Sequence, residues 1–435
     1  MTATQTPPLT LPLQRAGVAE RLAEAVRPFI GGELPVRLTA WDGSSAGPED
    51  APHVELRSKD ALRRMVWHPG ELGAAQAYVT GELEVHGDLG EALTHVFAQA
   101  QERGLKRIRR SPGALVSAIR VAADLGVLGR PPAPPASQAR MRGRLHTTLR
   151  DRRAIAHHYD LSNEFYELLL DPSMAYSCGY WRSTDPAYGV ADAQRDKLDL
   201  VCRKLGLEPG MTMLDVGCGW GSLSLHAAER FGARVTGVTI AAEQKRLIDA
   251  RIAERGLADR VEIRLQDYRE IPERDHFDAI GSLEMGEHVG ESNYPTYAEV
   301  LRRSVKPGGR VLVQQMSRER GRWPGGGPFI ESFIAPDMHM RPVGETSAFL
   351  ERGGLEVRDV HGLREHYVWT VQAWLDTFEA NLPQLVDLVG EEVTRVWRFY
   401  LAGGMLAFRD GRMGVDQVLC VRPGAAHTLP PVRAW

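Results

Sequence analysis

MTMLDVGCGWGSLSLHAAERFGARVTGVTIAAEQ, residues 211–244, reads as a strand, a glycine-rich turn, a helix and a second strand, the opening βαβ unit of an α/β sheet. The first strand (Met211, Met213, Leu214, Val216) feeds straight into Gly217, Gly219 and Gly221. Without β-carbons at these positions, backbone N–H groups can come close to a ligand, so the turn predicts a nucleotide-type cofactor pocket. Ser222 stands where a helix N-cap is expected.

Working outward, the alternation continues with VEIRLQ (strand), FDAIGSLEM (strand, then loop), YPTYAEVLRRSV (helix), the turn KPGG and RVLVQQM (strand). Such an order predicts a doubly wound sheet with a ligand crevice at the strand C-termini. The following loop, SRERGRWPGGGPFIESF, has the length of an active-site lid. Helix SAFLERGG, strand LEVRDV, more helix and a last strand near VDQVLCV complete the pattern, with antiparallel strands expected at the end of the sheet.

A chain of 435 residues with 43% hydrophobic content has room for two or three domains with substantial cores. A net charge of −3 argues against a surface built for nucleic acid. Four cysteines without a CxxC pair are too few for a disulfide scaffold and fit a reducing cytoplasm. Neither a signal-type N-terminus nor a run of about 20 apolar residues is evident, so a membrane would be touched and not crossed.

The N-terminal region alternates helical patterns such as VAERLAEAVRPFI with strand-like runs such as LPVRLTAW and carries no catalytic cluster. It is expected to be an accessory α+β domain over residues 1–130, followed by a proline-rich basic linker (131–150) and a catalytic domain (151–435). Between Arg103 and Arg153, 13 Lys/Arg face two acids, Asp124 and Asp151. That run is either a solvated face or a patch for anionic lipid headgroups, where each cation near the surface adds ~1 kcal/mol.

A G-x-G turn serves nicotinamide enzymes too, but their fingerprint is G-x-G-x-x-G with an acid closing the second strand. Here the third glycine comes one place early and the second strand ends Thr236, Gly237, Val238, Thr239, without an acid. Thr239 and Gln244 can still hydrogen-bond ribose hydroxyls. Asp267 and Tyr268, after the third strand, stand where adenine is held: carboxylate to amino group, ring stacked on base. Together these favour S-adenosylmethionine over a nicotinamide dinucleotide.

From about Ala154 to Val421 the chain resembles the cyclopropane fatty-acyl-phospholipid synthase and mycolic acid methyltransferase family. The stretches that carry the resemblance are HYDLSNEFYELLLDPSMAYSCGYW (158–181), LDVGCGWG (214–221), GVTIAAEQ (237–244), EMGEHVGESNYPTY (284–297), FIAPD (333–337) and HYVWTVQAW (366–374). GELGAAQAYVTGELEV is similar to the lipid-synthase branch, which has an accessory N-terminal domain. The resemblance implies a Rossmann-like class I methyltransferase sheet. It adds Tyr176, Ser177 and Asp215 to Gly217, Gly219, Gly221, Thr239, Gln244, Asp267 and Tyr268 as the cofactor set.

The implied chemistry suits these residue types. An acyl-chain cis alkene is a weak nucleophile and the sulfonium methyl a strong electrophile, so methyl transfer to carbon leaves a carbocation. The cation needs an apolar site, electron-rich rings and a base. In the family, cyclopropane synthases hold a bicarbonate or carbonate ion as that base, and its binding set falls on Cys178, Glu287, Gln314, Met316 and Tyr367. Position 314 departs from the pattern, which has His there; Gln can donate to an anion but cannot change charge near neutral pH. With QQMSRER and FIAPDMHMRP, the departure makes the chain most similar to an actinobacterial branch. That branch methylates the oleoyl chain of a phospholipid to a mid-chain methylene, which a reductase partner saturates to the 10-methyl acid, tuberculostearic acid.

The expected protein is thus a cytoplasmic enzyme at the inner face of the membrane, acting on unsaturated acyl chains and forming homo-oligomers. Alternatives are a cyclopropane synthase on the same lipids, a small-molecule N- or O-methyltransferase, and a lipid-binding protein with a relic cofactor fold. Glu287 reads as catalytic, against a helix-cap role. Cys178 is not expected to be a nucleophile. Tyr176 and Tyr180 read equally as rings lining the cation or as core aromatics. His157 and His158 have no matching metal-ligand set and read as structural.

Overall fold

A computed structural model describes residues 16–104, 112–139, 147, 150, 162–433 and 435. It divides into two units, Met1–Pro134 and Pro135–Trp435. His157 and His158 lie outside the described residues, as do most cations of the basic run: Lys106, Arg107, Arg109, Arg110, Arg140, Arg142, Arg144, Arg152 and Arg153.

The first unit places helix Val18–Ile30 beside a small sheet of β1 (Arg37–Thr39), β2 (Ser45–Ala46), β3 (His53–Leu56) and β4 (Leu83–His86), in the order β2-β1-β3-β4. Its core is small: Ala19, Leu38, Ala40, Leu56, Ala61 and Ala77. Helix Pro112–Asp124 buries none of its residues, and Leu115, Val116 and Ile119 are about half exposed.

The second unit is built on a seven-stranded sheet. Its strands are β5 (Thr212–Val216), β6 (Arg234–Thr239), β7 (Val261–Leu265), β8 (Phe277–Leu283), β9 (Val305–Ser317), β10 (Glu356–Gly362) and β11 (Gly414–Val421). They lie in the order β10-β11-β9-β8-β5-β6-β7. The four junctions from β9 to β7 are parallel. Strands β5 and β8 are buried on both faces, which is why they read as nearly continuous apolar runs. Two apolar clusters, one per face, contain Met213, Leu225 and Ile263 on one side and Leu214, Ile280 and Val313 on the other.

The end of the sheet differs from expectation in one respect. Both junctions at this end are antiparallel, but a single strand, β11, runs against the sheet, inserted between β9 and β10. The chain leaves β5 toward β6 and β7 and returns to β8 on the other side of β5, so the topological switch point lies between β5 and β8. In an open α/β sheet that is where a ligand crevice opens.

Candidate active site

The glycine turn closes β5. Gly217, Gly219 and Gly221 all have positive φ, at 79°, 54° and 83°, a region that costs other residues roughly 1–2 kcal/mol. Gly221 is the N-cap of helix Ser222–Phe231, so Ser222 is its first helical residue and not the cap predicted. A β-carbon at Gly221 would approach Ile248 Cγ2 to 2.9 Å. One at Gly219 would meet nothing within 4 Å, because Gly219 faces the cavity.

That cavity is lined by Gly217, Gly219, Thr239, Gln244, Asp267 and Tyr268, and on its far side by Glu284, Met285, His288 and Ala335–Asp337. These come from the ends of β5, β6, β7 and β8, as the switch point requires. The Thr239 hydroxyl donates to Gln244 Oε1 at 2.9 Å, which fixes the Gln244 amide with its nitrogen as donor. Asp267 is engaged by Arg269 through Nε (2.8 Å) and Nη2 (2.7 Å), and the guanidinium lies 5.3 Å from the Tyr268 ring centre. An adenine amino group would therefore share this carboxylate with Arg269, a lining residue the motif reading missed.

Tyr176, Ser177, Asp215 and Gly221 are not among the lining residues. Asp215 is buried and accepts from Ser224 Oγ at 2.7 Å, tying β5 to the helix behind the turn. Burial pushes its carboxyl up to about 6. Ser177 Oγ is 2.9 Å from the ammonium of buried Lys197, whose own pKa burial pulls down to about 8. Tyr176 belongs to an aromatic wall. Its ring centre is 5.2 Å from Trp374 and 5.8 Å from Tyr166, which in turn lies 4.4 Å from Trp220 of the glycine turn. Its hydroxyl donates to Tyr400 at 3.1 Å. Tyr180 instead packs 4.9 Å from His366, outside this wall.

Beyond the cavity the sheet assembles a polar cluster inside an apolar shell. Glu284 follows β8 with φ +52°. Its backbone N–H donates to the Gln314 carbonyl (2.7 Å) and its Oε1 accepts from Gln314 Nε2 (2.9 Å). Gln314 Oε1 in turn accepts from Gln417 Nε2 at 2.9 Å. Glu287, three residues on in the helical turn Gly286–Val289, is fully buried, with its carboxyl facing Glu284, its own backbone and that of Met316. Desolvation raises its pKa well above the ordinary value, and the adjacent Glu284 charge raises it further. Desolvation raises Glu284 as well, offset by the Gln314 amide, by Glu287 itself, by the Cys178 backbone and by Lys197. Two facing carboxyls in a dry site do not both ionise. The Glu287 carboxyl is raised further than that of Glu284, so the single proton favours Glu287.

The other predicted members gather around this pair. The Cys178 thiol points to the carbonyls of Gly179 (3.2 Å) and Leu363 (3.6 Å), and burial drives its pKa far up, so it is no thiolate. Tyr367 is buried, stacks 4.4 Å from Phe408, and is held neutral by desolvation and by the Glu284 charge. Met316 faces Glu287 through its backbone. Glu284, Gln417 and Tyr400 were missed by sequence reasoning. Glu284 opened a recognised motif as an acid at the end of an apolar strand, the signal that singled out Glu287; Gln417 and Tyr400 carried none.

The segment expected to be a lid is held by its own bonds. Arg318 donates to the carbonyls of Trp323 (2.9 Å) and Gly325 (2.6 Å), and His339 N–H donates to the Glu287 carbonyl at 2.8 Å. Asp337, on the cavity wall, is paired through both oxygens with Arg150 (2.6 and 2.9 Å).

Residues 146–418 match the family model described as mycolic acid cyclopropane synthetase. A probable fatty acid methyltransferase of Pseudomonas putida is 37% identical over 409 residues, covering 92% of this chain and 95% of that protein. The tuberculostearic acid methyltransferase UfaA1 of Mycobacterium tuberculosis is 32% identical over 433 residues, covering 94% and 92%. A solved structure of the mycolic acid cyclopropane synthase CmaA1, complexed with SAH and CTAB, superposes with a TM-score of 0.58 at 30% identity, covering 62% of this chain and 98% of that one.

Proposed function

This chain belongs to the mycolic acid cyclopropane synthetase family, and from that premise we propose that it transfers a methyl group from S-adenosylmethionine to the cis double bond of an oleoyl phospholipid chain, giving a mid-chain methylene. The observation that carries the proposal is the buried, singly charged carboxyl pair Glu284/Glu287, set beside the glycine cavity and near a wall of tyrosine and tryptophan rings. A hydroxyl or amine substrate forms no carbocation and needs no apolar, ring-lined site. A carbocation does: aromatic faces attract it, an apolar shell keeps water from it, and a carboxylate removes its proton.

Gly217 and Gly219 with Thr239, Gln244, Asp267 and Tyr268 fit the cofactor, since the open space at Gly219 faces the cavity those polar groups line. Bound there, S-adenosylmethionine supplies an electrophilic methyl group. The chain's part is to hold the alkene against that methyl, shield the cation with rings such as Tyr176, Trp374 and Tyr400, and accept a proton from the new methyl after a hydride shift. The amide at Gln314 and the similarity to a tuberculostearic acid methyltransferase support the methylene over the cyclopropane product. A methylene product is an alkene, so a reductase must consume it to reach a saturated branch.

Membrane association is part of the proposal. Among the described residues no helix is long and apolar enough to cross a bilayer. The half-exposed Leu115, Val116 and Ile119 lie within the basic run, on a helix that buries nothing. Not every cation in that run is available: Arg103 donates to the Glu33 carbonyl at 2.6 Å, and Arg150 is spent on Asp337. Replacing the remaining Lys/Arg of 103–153 by Gln should weaken binding to anionic vesicles; unchanged binding would remove the patch.

Expression in a host rich in oleoyl lipids tests the reaction. Mass spectrometry of the fatty acid esters should show a gain of one CH2, and proton NMR should show a methylene. Cyclopropyl signals would give the alternative product, and no mass gain with cofactor present would overturn the proposal.

A further inference from the structure

The residues that the family resemblance assigns to a carbonate ion already surround a carboxylate of this protein. Gln314, at the position that departs from the family's His, gives its amide N–H to Glu284 Oε1 at 2.9 Å. Glu287, the Cys178 backbone and Tyr367 face the same carboxylate. Gln417, directly opposite Gln314 in the antiparallel ladder, locks that amide by donating to its oxygen, so the nitrogen must point at Glu284. The Glu284 backbone is tied down as well, through its N–H to the Gln314 carbonyl. A carbonate ion does not fit here as a further ligand: it would lie against an existing carboxylate, which already takes an N–H of Gln314.

We propose that Glu284 is the base of the reaction, and that this protein turns over without a carbonate ion. The inference rests on the reaction proposed above. After the methyl has formed its bond to the alkene carbon and a hydride has shifted, Glu284 takes a proton from the new methyl. The C–H electron pair becomes the π bond to the cationic carbon, the positive charge is discharged, and Glu284 becomes a neutral acid that returns its proton to solvent. Oε1 takes the Gln314 amide, which leaves Oε2 as the oxygen to receive that proton. Glu287, protonated and beside it, is a positioning residue that keeps the charge on Glu284.

The test measures turnover of the full chain on oleoyl phospholipid vesicles, in buffer depleted of carbon dioxide and in the same buffer with added sodium bicarbonate. Wild-type turnover should agree within twofold between the two buffers. Glu284→Gln should lose about 100-fold or more, the scale of a general base, with calorimetric binding of S-adenosylmethionine retained. Glu284→Gly, which empties the space, should be slow in depleted buffer and regain turnover with bicarbonate, a response that a purely structural glutamate would not give. Wild-type turnover that collapses on depletion, or a Glu284→Gln variant within threefold of wild type, would overturn the assignment. If wild type adds CH2 only with bicarbonate, the Glu284 inference alone fails; if it adds none in either buffer, the proposed reaction fails and this inference with it.

Discussion

The two halves of the crevice are made in different ways. On the β5–β7 side the cavity is mostly backbone: a turn of left-handed glycines and a helix start, with Thr239 ending β6, Gln244 in the first turn of the helix that follows it, and Asp267 just beyond β7. On the β8–β9–β11 side it is mostly side chains. Glu284 and Glu287, Gln314, Tyr367, Tyr400 and Gln417 come from five separate places in the chain and compensate one another's burial. A pocket for a constant cofactor needs shape, which local backbone provides. A site that manages a cation needs placed charge in a dry environment, which only a network can hold.

If the halves are functionally separate, changing one should leave the other's observable alone. The largest effect is expected from Glu284→Gln, which should cut turnover by about 10²–10⁴ with calorimetric S-adenosylmethionine affinity unchanged; a matching loss of affinity would erase the division. The mirror experiment is Gly219→Val, which forces a branched side chain into a left-handed position facing the cavity. It should weaken cofactor binding at least ~10-fold, or about 1.4 kcal/mol, while the pH profile of the residual turnover stays in place. Gln417→Leu is a smaller probe. It removes the donor that holds Gln314 and, at ~1–2 kcal/mol for an unpaired buried acceptor, should lower turnover by roughly 5–30-fold and leave cofactor affinity as it was.

The finest probe is pH. Desolvation raises the Glu284 carboxyl above the ordinary range. The base must be ionised, so turnover should fall as pH drops through that raised value, at higher pH than a solvated glutamate would give. The groups facing it are Glu287, Cys178, Lys197, Tyr367 and Tyr400, and of these only Lys197 is a cation, which favours the charged form. Lys197→Met removes that attraction and should move the acid limb of the kcat profile further up in pH. A downward shift, or none, would mean that Glu284 is not the group being titrated.

Much of the sheet could be read along the chain. Strands VEIRLQ, LEVRDV and VDQVLCV fall on β7, β10 and β11, since a buried strand must be apolar and must stop where the turn chemistry changes. Ser222 was misplaced by one position because Gly221 takes the left-handed cap, which no side chain reports. On the site itself, the glycine turn, Thr239, Gln244, Asp267 and Tyr268 reach the cavity, because each is fixed by its distance from a strand end. Tyr176 and Ser177 do not line it: they lie far in sequence from every lining residue, and their placement depends on contacts with Tyr400 and Lys197.

By itself the sequence determined a parallel α/β sheet, a glycine turn for an adenosyl cofactor and a carboxylate after the β8 strand, all consequences of short-range periodicity and turn chemistry. The tertiary structure alone decided how the charge beside that cofactor is held. Strand β11 inserts between β9 and β10 in a register that sets Gln417 opposite Gln314, and Gln314 then meets Glu284. Register between strands about 100 residues apart is set by packing both faces of the sheet. No local pattern encodes it, so the bond from Gln314 to Glu284 became visible only when the strands were paired.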